Sequence, residues 1–243
     1  MRNKIIPCLD IRNGRVVKGQ KFKNVADVAD PVQLAKRYES EHADTLFLLD
    51  IDGKDRRTFL QIVREIRVAT SFPLYVGGGI RSVEDVAKAL QAGATKVSIT
   101  SAAIEDPAII EQSAYAFGND KIILSIDAKK INDNKWHAFT SGGRVDSGLD
   151  VIAWAKRGEA LGASEILLNS IDADGVKQGY DLPLNKAVAN AINIPVIASG
   201  GAGKMEDFSS VLAEENVQAA LAASVFHYGE IAIPDLKSFL NNA

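Results

Sequence analysis

The sequence predicts an α/β fold: a single (β/α)8 TIM barrel, residues 1–243, with an internal half-barrel repeat. Three observations lead there. Short apolar runs alternate with amphipathic segments along the chain, the βαβα order that builds a parallel sheet. The runs lack strict polar alternation, as strands buried on both faces do. Two halves, about 1–120 and 121–243, carry matching motifs in register.

Eight runs read as strands: Ile5–Ile11, Thr45–Ile51, Pro73–Val76, Lys96–Ile99, Ile122–Asp127, Glu165–Asn169, Pro195–Ala198 and Ala219–Ala222. Helical patterns separate them. Asp30 caps a helix that opens with Pro31, a residue suited to the first turn. Arg57–Ala69 carries Phe59, Leu60, Ile62, Val63 and Ile66 on one stripe. Ser82 with Asp85 three residues on signals the next helical start. Asp106-Pro107 opens another, and Leu149–Leu161, Leu182–Ala191, Met205–Leu212 and Ile233–Leu240 complete the set. Two longer stretches read as irregular, Asn13–Ala29 after the first strand and Lys129–Ser147 after the fifth. The second holds Asn132-Asp133-Asn134, a turn signal between runs that can pair as a hairpin. Both follow strands, on the face where barrel enzymes keep their active sites.

Composition bounds the function. Hydrophobic residues make up 47% and charged residues 24%, with a formal net charge of −3. Without a basic cluster, nucleic acid is not the expected partner. No stretch approaches the length of a membrane span, and Met1–Lys4 leads into a strand without a signal-peptide core. Cys8 is the only cysteine, so no intrachain disulfide or cysteine zinc site can form, and a reducing cytoplasm is expected. Cys8 lies within Ile5-Ile6-Pro7-Cys8-Leu9 and reads as core packing.

The repeat carries the functional signal. Tyr75-Val76-Gly77-Gly78-Gly79 corresponds to Ile197-Ala198-Ser199-Gly200-Gly201 at an offset of about 120 residues. Thr100-Ser101, after the fourth strand, corresponds to Ala223-Ser224, after the eighth. Barrel phosphate sites are commonly built from the loops after strands seven and eight and a short helix N-terminus. Glycines let backbone N–H groups approach phosphate oxygens, and a serine adds a donor. One Gly-Gly pair is equally a tight turn. Two pairs in register, each followed by a small hydroxyl residue after the next strand, point to a long substrate with a phosphate at each end.

Asp10 and Asp127 end the first and fifth strands. Those strands lie opposite in an eight-stranded barrel, so the two carboxylates would flank an extended substrate. A carboxylate partly desolvated by apolar neighbours can exchange protons near neutral pH. One strand-end aspartate alone is more simply a cap or an ion-pair partner; the symmetric pair favours chemistry. Lys18, in the first long loop, is placed to close over a phosphate or amine. Asp174-Gly175 can be a turn, a phosphate contact or a support for the reacting ring. His42 and His137 lack an evident partner, and the histidines have no metal-ligand spacing.

Several motifs, in combination, resemble the cyclase subunits of imidazole glycerol phosphate synthase: Ile5-Ile6-Pro7-Cys8-Leu9-Asp10, Gly14-Arg15-Val16-Val17-Lys18-Gly19, Val76-Gly77-Gly78-Gly79-Ile80 and Ala198-Ser199-Gly200-Gly201-Ala202-Gly203-Lys204. Gly179-Tyr180-Asp181 and Leu221-Ala222-Ala223-Ser224-Val225-Phe226-His227 add to them, so that the resemblance covers nearly the whole chain. It implies a lyase of histidine biosynthesis that adds ammonia to a bis-phosphorylated ribulosyl formimino carboxamide ribonucleotide, closes the imidazole ring and releases an aminoimidazole carboxamide ribotide. Asp10 and Asp127 match the family's acid–base pair and Lys18 its mobile-loop lysine. Gly79, Ser101, Gly201 and Ser224 match its phosphate positions, with Thr100, Asp174, Ser199 and Ala223 beside them. Lys4, Lys96 and Glu165 match a charged ring where ammonia enters from a glutaminase subunit docked at the N-terminal barrel face. No metal and no organic cofactor is implied.

The chain departs from the family where Asp52-Gly53-Lys54 replaces the usual Thr-Ala-Ser. Thr100 replaces an asparagine, and Thr45 and Thr95 replace acidic residues near the N-terminal face. Three other readings stay open: the sister bis-phosphate sugar isomerase of the same pathway, an amidotransferase partner acting on a surface sugar, and a non-catalytic scaffold that activates a glutaminase.

Overall fold

The computed structural model describes residues 3–20 and 23–242; side chains are described outside 18–29. Eight parallel strands form the barrel: β1 (Lys4–Arg12), β4 (Leu46–Asp50), β5 (Leu74–Gly77), β6 (Lys96–Ile99), β7 (Ile122–Asn132), β10 (Glu165–Ser170), β11 (Val196–Ser199) and β12 (Val217–Ala222). Their order is β10-β11-β12-β1-β4-β5-β6-β7, and the β10–β7 pairing closes the ring. Closure leaves no exposed barrel edge to template aggregation.

Each strand sorts its side chains by parity, because successive residues face opposite sides of the sheet. On β1, Ile5, Leu9 and Ile11 join the layer between sheet and helices, while Ile6 and Cys8 join an inner cluster with Phe47, Tyr75, Ile123, Leu167, Ile197 and Leu221. On β7, Ile122, Leu124, Ile126 and Ala128 face the helices and Ile123 faces inward. On β12 a register shift opposite Val196 and Ile197 skips Gln218, after which Ala219 and Leu221 point inward. The barrel interior is thus a packed core, as barrels of this strand number require.

Helices α1 (Pro31–Ser40), α2 (Arg56–Ala69), α3 (Val83–Gln91), α5 (Ala108–Phe117), α6 (Val151–Ala160), α7 (Leu182–Ala189), α8 (Met205–Leu212) and α10 (Ile233–Asn242) cover the outside. Short helices α4 (Ser101–Glu105) and α9 (Ser224–His227) follow β6 and β12. Asp30, Asp55, Ser82, Asp150 and Asp181 cap α1, α2, α3, α6 and α7, each side chain accepting an N–H three residues on. Such caps satisfy donors that the first helical turn leaves open.

Three expectations are corrected. The stretch 13–29 contains two antiparallel strands, β2 (Arg15–Gln20) and β3 (Lys23–Ala29), extending from β1. After β7 the expected hairpin forms with β8 (Lys135–Thr140), turning through Asn134 at φ 57°, but a further strand, β9 (Val145–Asp150), pairs with β8. That strand takes Leu149 and Asp150, so α6 begins at Val151. Across β8 and β9, His137 Nδ1 lies 3.1 Å from Asp146 Oδ2, a partner the linear sequence did not reveal.

Gly158 lets α6 lie close on β7: a Cβ there would come within 2.2 Å of Leu124 Cδ2, and Leu124 is fully buried. Gly158→Ala gains up to about 1 kcal/mol of helix propensity. It forces a packed side chain to move, at about 1–3 kcal/mol. We expect net destabilisation by about 1 kcal/mol in urea unfolding; a more stable variant would contradict this packing.

Candidate functional site

The inward parity that makes the core also supplies the barrel mouth. Asp10 follows Ile6 and Cys8 on one face of β1, and Cys8 Sγ lies 3.8 Å from Asp10 Oδ1. Asp127 follows Ile123 and Ser125 on one face of β7. In the closed order, four pairings separate β1 from β7 in either direction, so the carboxylates rise from opposite walls.

Asp127 sits in a polar chain across three strands. In register with Asn169 on β10, which pairs with Ser199 on β11, it accepts from Asn169 Nδ2 at 3.1 Å. Ser199 Oγ donates to Asn169 Oδ1 at 3.1 Å. Burial pushes the Asp127 carboxyl up to about 6, the Asn169 hydrogen bond opposes the shift, and the nearby Asp174 charge adds to it. Desolvation dominates because it penalises only the charged form. Asn169 was not singled out in the sequence; the signal was a polar residue at an inward strand end, beside Asp127 once the strands pair.

Two glycine turns flank this line. In the first, Gly78 and Gly79 take φ of 78° and 63°, and a Cβ on Gly78 would meet Asp50 O at 2.1 Å. In the second, Gly200 and Gly201 take φ of 88° and 111°, and a Cβ on Gly201 would meet Gly179 O at 2.1 Å. Both turns therefore require glycine. Beside each, a short helix begins without a side-chain cap: α4 after Thr100 (φ −116°, ψ −95°) and α9 after Ala223 (φ −122°, ψ −75°). Ser101 and Ser224 are the first residues of these helices. Ser101 Oγ accepts from Ser141 N at 3.1 Å, so the β8–β9 tip reaches the first turn. Asp174 N donates to Ser170 O at 2.9 Å, placing Asp174 in a turn after β10. Asp207 Oδ2 accepts from Gly203 N and Lys204 N, each at 2.9 Å, which fixes the chain leaving the second turn. Lys18 lies on β2, and its side chain is outside the described residues.

At the opposite end of the barrel, Lys4, Lys96 and Glu165 occupy the first inward positions of β1, β6 and β10. Lys96 Nζ meets Glu165 Oε1 at 2.9 Å and Ser164 Oγ at 3.2 Å. Lys4, Ile6, Tyr75, Glu165, Ile197 and Gln218 line a narrow cleft there. Burial holds the Tyr75 hydroxyl well above its ordinary range, and the neighbouring Glu165 carboxylate adds to the shift. Thr45 is buried and hydrogen-bonds the Tyr75 hydroxyl, and Thr95 Oγ1 accepts from Leu74 N.

The family model described as "Histidine biosynthesis protein" matches residues 4–232. The imidazole glycerol phosphate synthase subunit HisF of Oceanobacillus iheyensis is 55% identical over 99% of this chain and 95% of that protein. The subunit of the same name from Bacillus cereus is 49% identical over 100% of this chain and 97% of that protein. The chain belongs to the HisF family. Its activity class is that of the cyclase subunit, a lyase of histidine biosynthesis. In this HisF-family barrel no three His, Cys, Asp or Glu side chains gather as a metal-ligand set among the described residues. Among those residues no helix is long and apolar enough to cross a membrane.

The half-buried Asp127 gives this HisF-family chain a distinctive titration. Its carboxyl is lifted from 3.8 to about 6, so the stability this group contributes is full below about pH 4 and is lost as pH rises through about 6. Carbon NMR should show Asp127 titrating near 6, and Asn169→Ala should raise it further by removing a donor that favours the charged form. A midpoint near 4 in both proteins would contradict the desolvated site.

Proposed function

We propose that this barrel binds the bis-phosphorylated ribulosyl formimino carboxamide ribonucleotide across its mouth and closes the imidazole ring with ammonia, using Asp10 and Asp127 as the acid–base pair. The observation that carries this reading is the half-buried Asp127, its carboxyl pushed up to about 6 by desolvation, on the wall opposite Asp10. Ring closure removes a proton from nitrogen as it attacks carbon and returns one to the departing oxygen or nitrogen. Two carboxylates on opposite walls can serve both ends of such a transfer without moving the substrate. At pH 7 a group of pKa 6 is mostly ionised, with about a tenth protonated, so Asp127 can take either part. Asn169 holds its carboxylate and Ser199 fixes the amide, which restricts the proton-bearing oxygen to one orientation.

One substrate phosphate is assigned to Gly79, Thr100 and Ser101. The other is assigned to Ser199, Gly201, Ala223 and Ser224, with Asp174 beside it. In each cradle the support comes from left-handed glycines and an uncapped helix start, whose N–H groups suit an anion. Lys18 is assigned the role of closing over the bound substrate. Residues 1–243 act as one domain of two half-barrels, each supplying one cradle and one carboxylate.

The same reading assigns Lys4, Lys96 and Glu165 to the entrance for ammonia, delivered by a glutaminase subunit docked on the N-terminal face. The narrow cleft lined by Lys4 and Glu165 supports it: Ile6 and Tyr75 line it with them, and Glu165 pairs with Lys96. Thr45 and Thr95, where the family carries acidic residues, leave this face with less negative charge. Action in the cytoplasm completes the assignment.

Asp10→Asn and Asp127→Asn should each lower turnover of the bis-phosphate substrate with ammonium salt by at least about 10²-fold. Turnover by either variant at the wild-type rate would exclude the acid–base pair. Isomerisation of a bis-phosphate without nitrogen consumption would favour the sister isomerase.

A further inference from the structure

Arg56 opens α2, directly after the capping Asp55. Its guanidinium turns back toward the first glycine turn. Nη1 donates to Gly78 O at 2.8 Å and reaches Asp50 Oδ2 at 3.2 Å. Asp50 is buried, and its other oxygen, Oδ1, accepts from Gly53 N at 2.9 Å. Gly53 belongs to Asp52-Gly53-Lys54, and its Cα stands 3.3 Å from where a Cβ on Gly79 would lie. The segment that departs from the family pattern is therefore packed on this turn. Arg56 Nη2 is buried without a hydrogen-bond partner, a costly state for a charged donor whose role is packing alone.

A trans peptide is planar, so its C=O and N–H point in opposite directions. Fixing Gly78 O fixes the Gly79 N–H on the other side. We propose that Arg56 is the positioning residue of the first anion cradle. It holds the Gly78 carbonyl away from the phosphate, presents the Gly79 N–H to it, and places a half-buried positive charge behind the turn. Asp50 sets the plane of the guanidinium. This rests on the phosphate reading of the site. The second cradle is held by backbone instead: Gly201 O accepts from Gly179 N at 2.9 Å. It serves as the internal control.

Crystals of the wild type and of Arg56→Gln soaked in inorganic phosphate, together with steady-state kinetics on the bis-phosphate substrate and ammonium, test the assignment. Wild-type crystals should hold phosphate in both cradles; Arg56→Gln should lose it at Gly77–Gly79 and keep it at Ser199–Gly201. KM should rise about 10-fold or more with kcat within about 3-fold, the pattern of lost binding rather than lost chemistry. Arg56→Lys should recover only part of KM, because an ammonium keeps the charge but lacks the fixed N–H directions by which Nη1 meets carbonyl and carboxylate together. Asp50→Asn, which leaves Arg56 in place but frees its plane, should move KM the same way by a smaller factor and supplies the test if Arg56→Gln fails to fold. Phosphate in both cradles of Arg56→Gln with KM unchanged would overturn the role of Arg56 and leave the cradles standing. Phosphate in neither cradle of the wild type would overturn the reading beneath it.

Discussion

Everything at the barrel mouth depends on strand parity in a closed parallel sheet. Because side chains alternate faces, the residues that fill the interior also fix which strand-end residues look into the mouth. Ile6 and Cys8 commit Asp10 to the inside, and Ile123 and Ser125 commit Asp127. A register slip of one residue on either strand would turn its carboxylate into the helix layer and expose Ile or Leu to the interior rim. The inner cluster of Phe47, Tyr75, Ile123, Leu167 and Ile197 opposes that slip. Packing therefore sets the chemistry's geometry before any polar contact is made.

The polar contacts then refine what parity provides. Asn169 and Ser199 reach the mouth by the same rule on β10 and β11, and together they hold Asp127 from the side. Desolvation lifts the carboxyl while the amide restrains it, so the balance lies near neutral pH rather than at either extreme. The two glycine turns look alike in backbone but differ in support. One is braced by the ion pair of buried Asp50 with half-buried Arg56 and the other by a backbone bond from Gly179. The halves thus match where a phosphate is assigned and diverge behind it.

Much of the fold was legible in the chain. All eight barrel strands and their covering helices appear as apolar runs and capped amphipathic stripes, because each element buries a face whose period survives in the sequence. The hairpin β2–β3 did not, since glycines and lysines interrupt any alternation in a segment that pairs onto the end of β1. Strand β9 hid for a similar reason: Val145-Asp146-Ser147-Gly148 is mostly exposed and carries no apolar face. At the site, Asp10, Asp127 and the glycine pairs stood out because the repeat shows them twice. Asn169, Asp50 and Arg56 act through partners 42, 6 and 22 residues distant, and only the folded barrel brings those partners together.

The central claim is that opposed carboxylates share one cavity between two anion cradles. The most direct measurement is a crystal structure of Asp127→Asn, in which the proposed acid–base pair is broken, with the bis-phosphate substrate bound. One phosphate should lie against Gly79 and Ser101 and the other against Gly201 and Ser224, with the middle of the molecule between positions 10 and 127. A substrate confined to one half of the mouth, or Asp10 turned away from it, would contradict the claim.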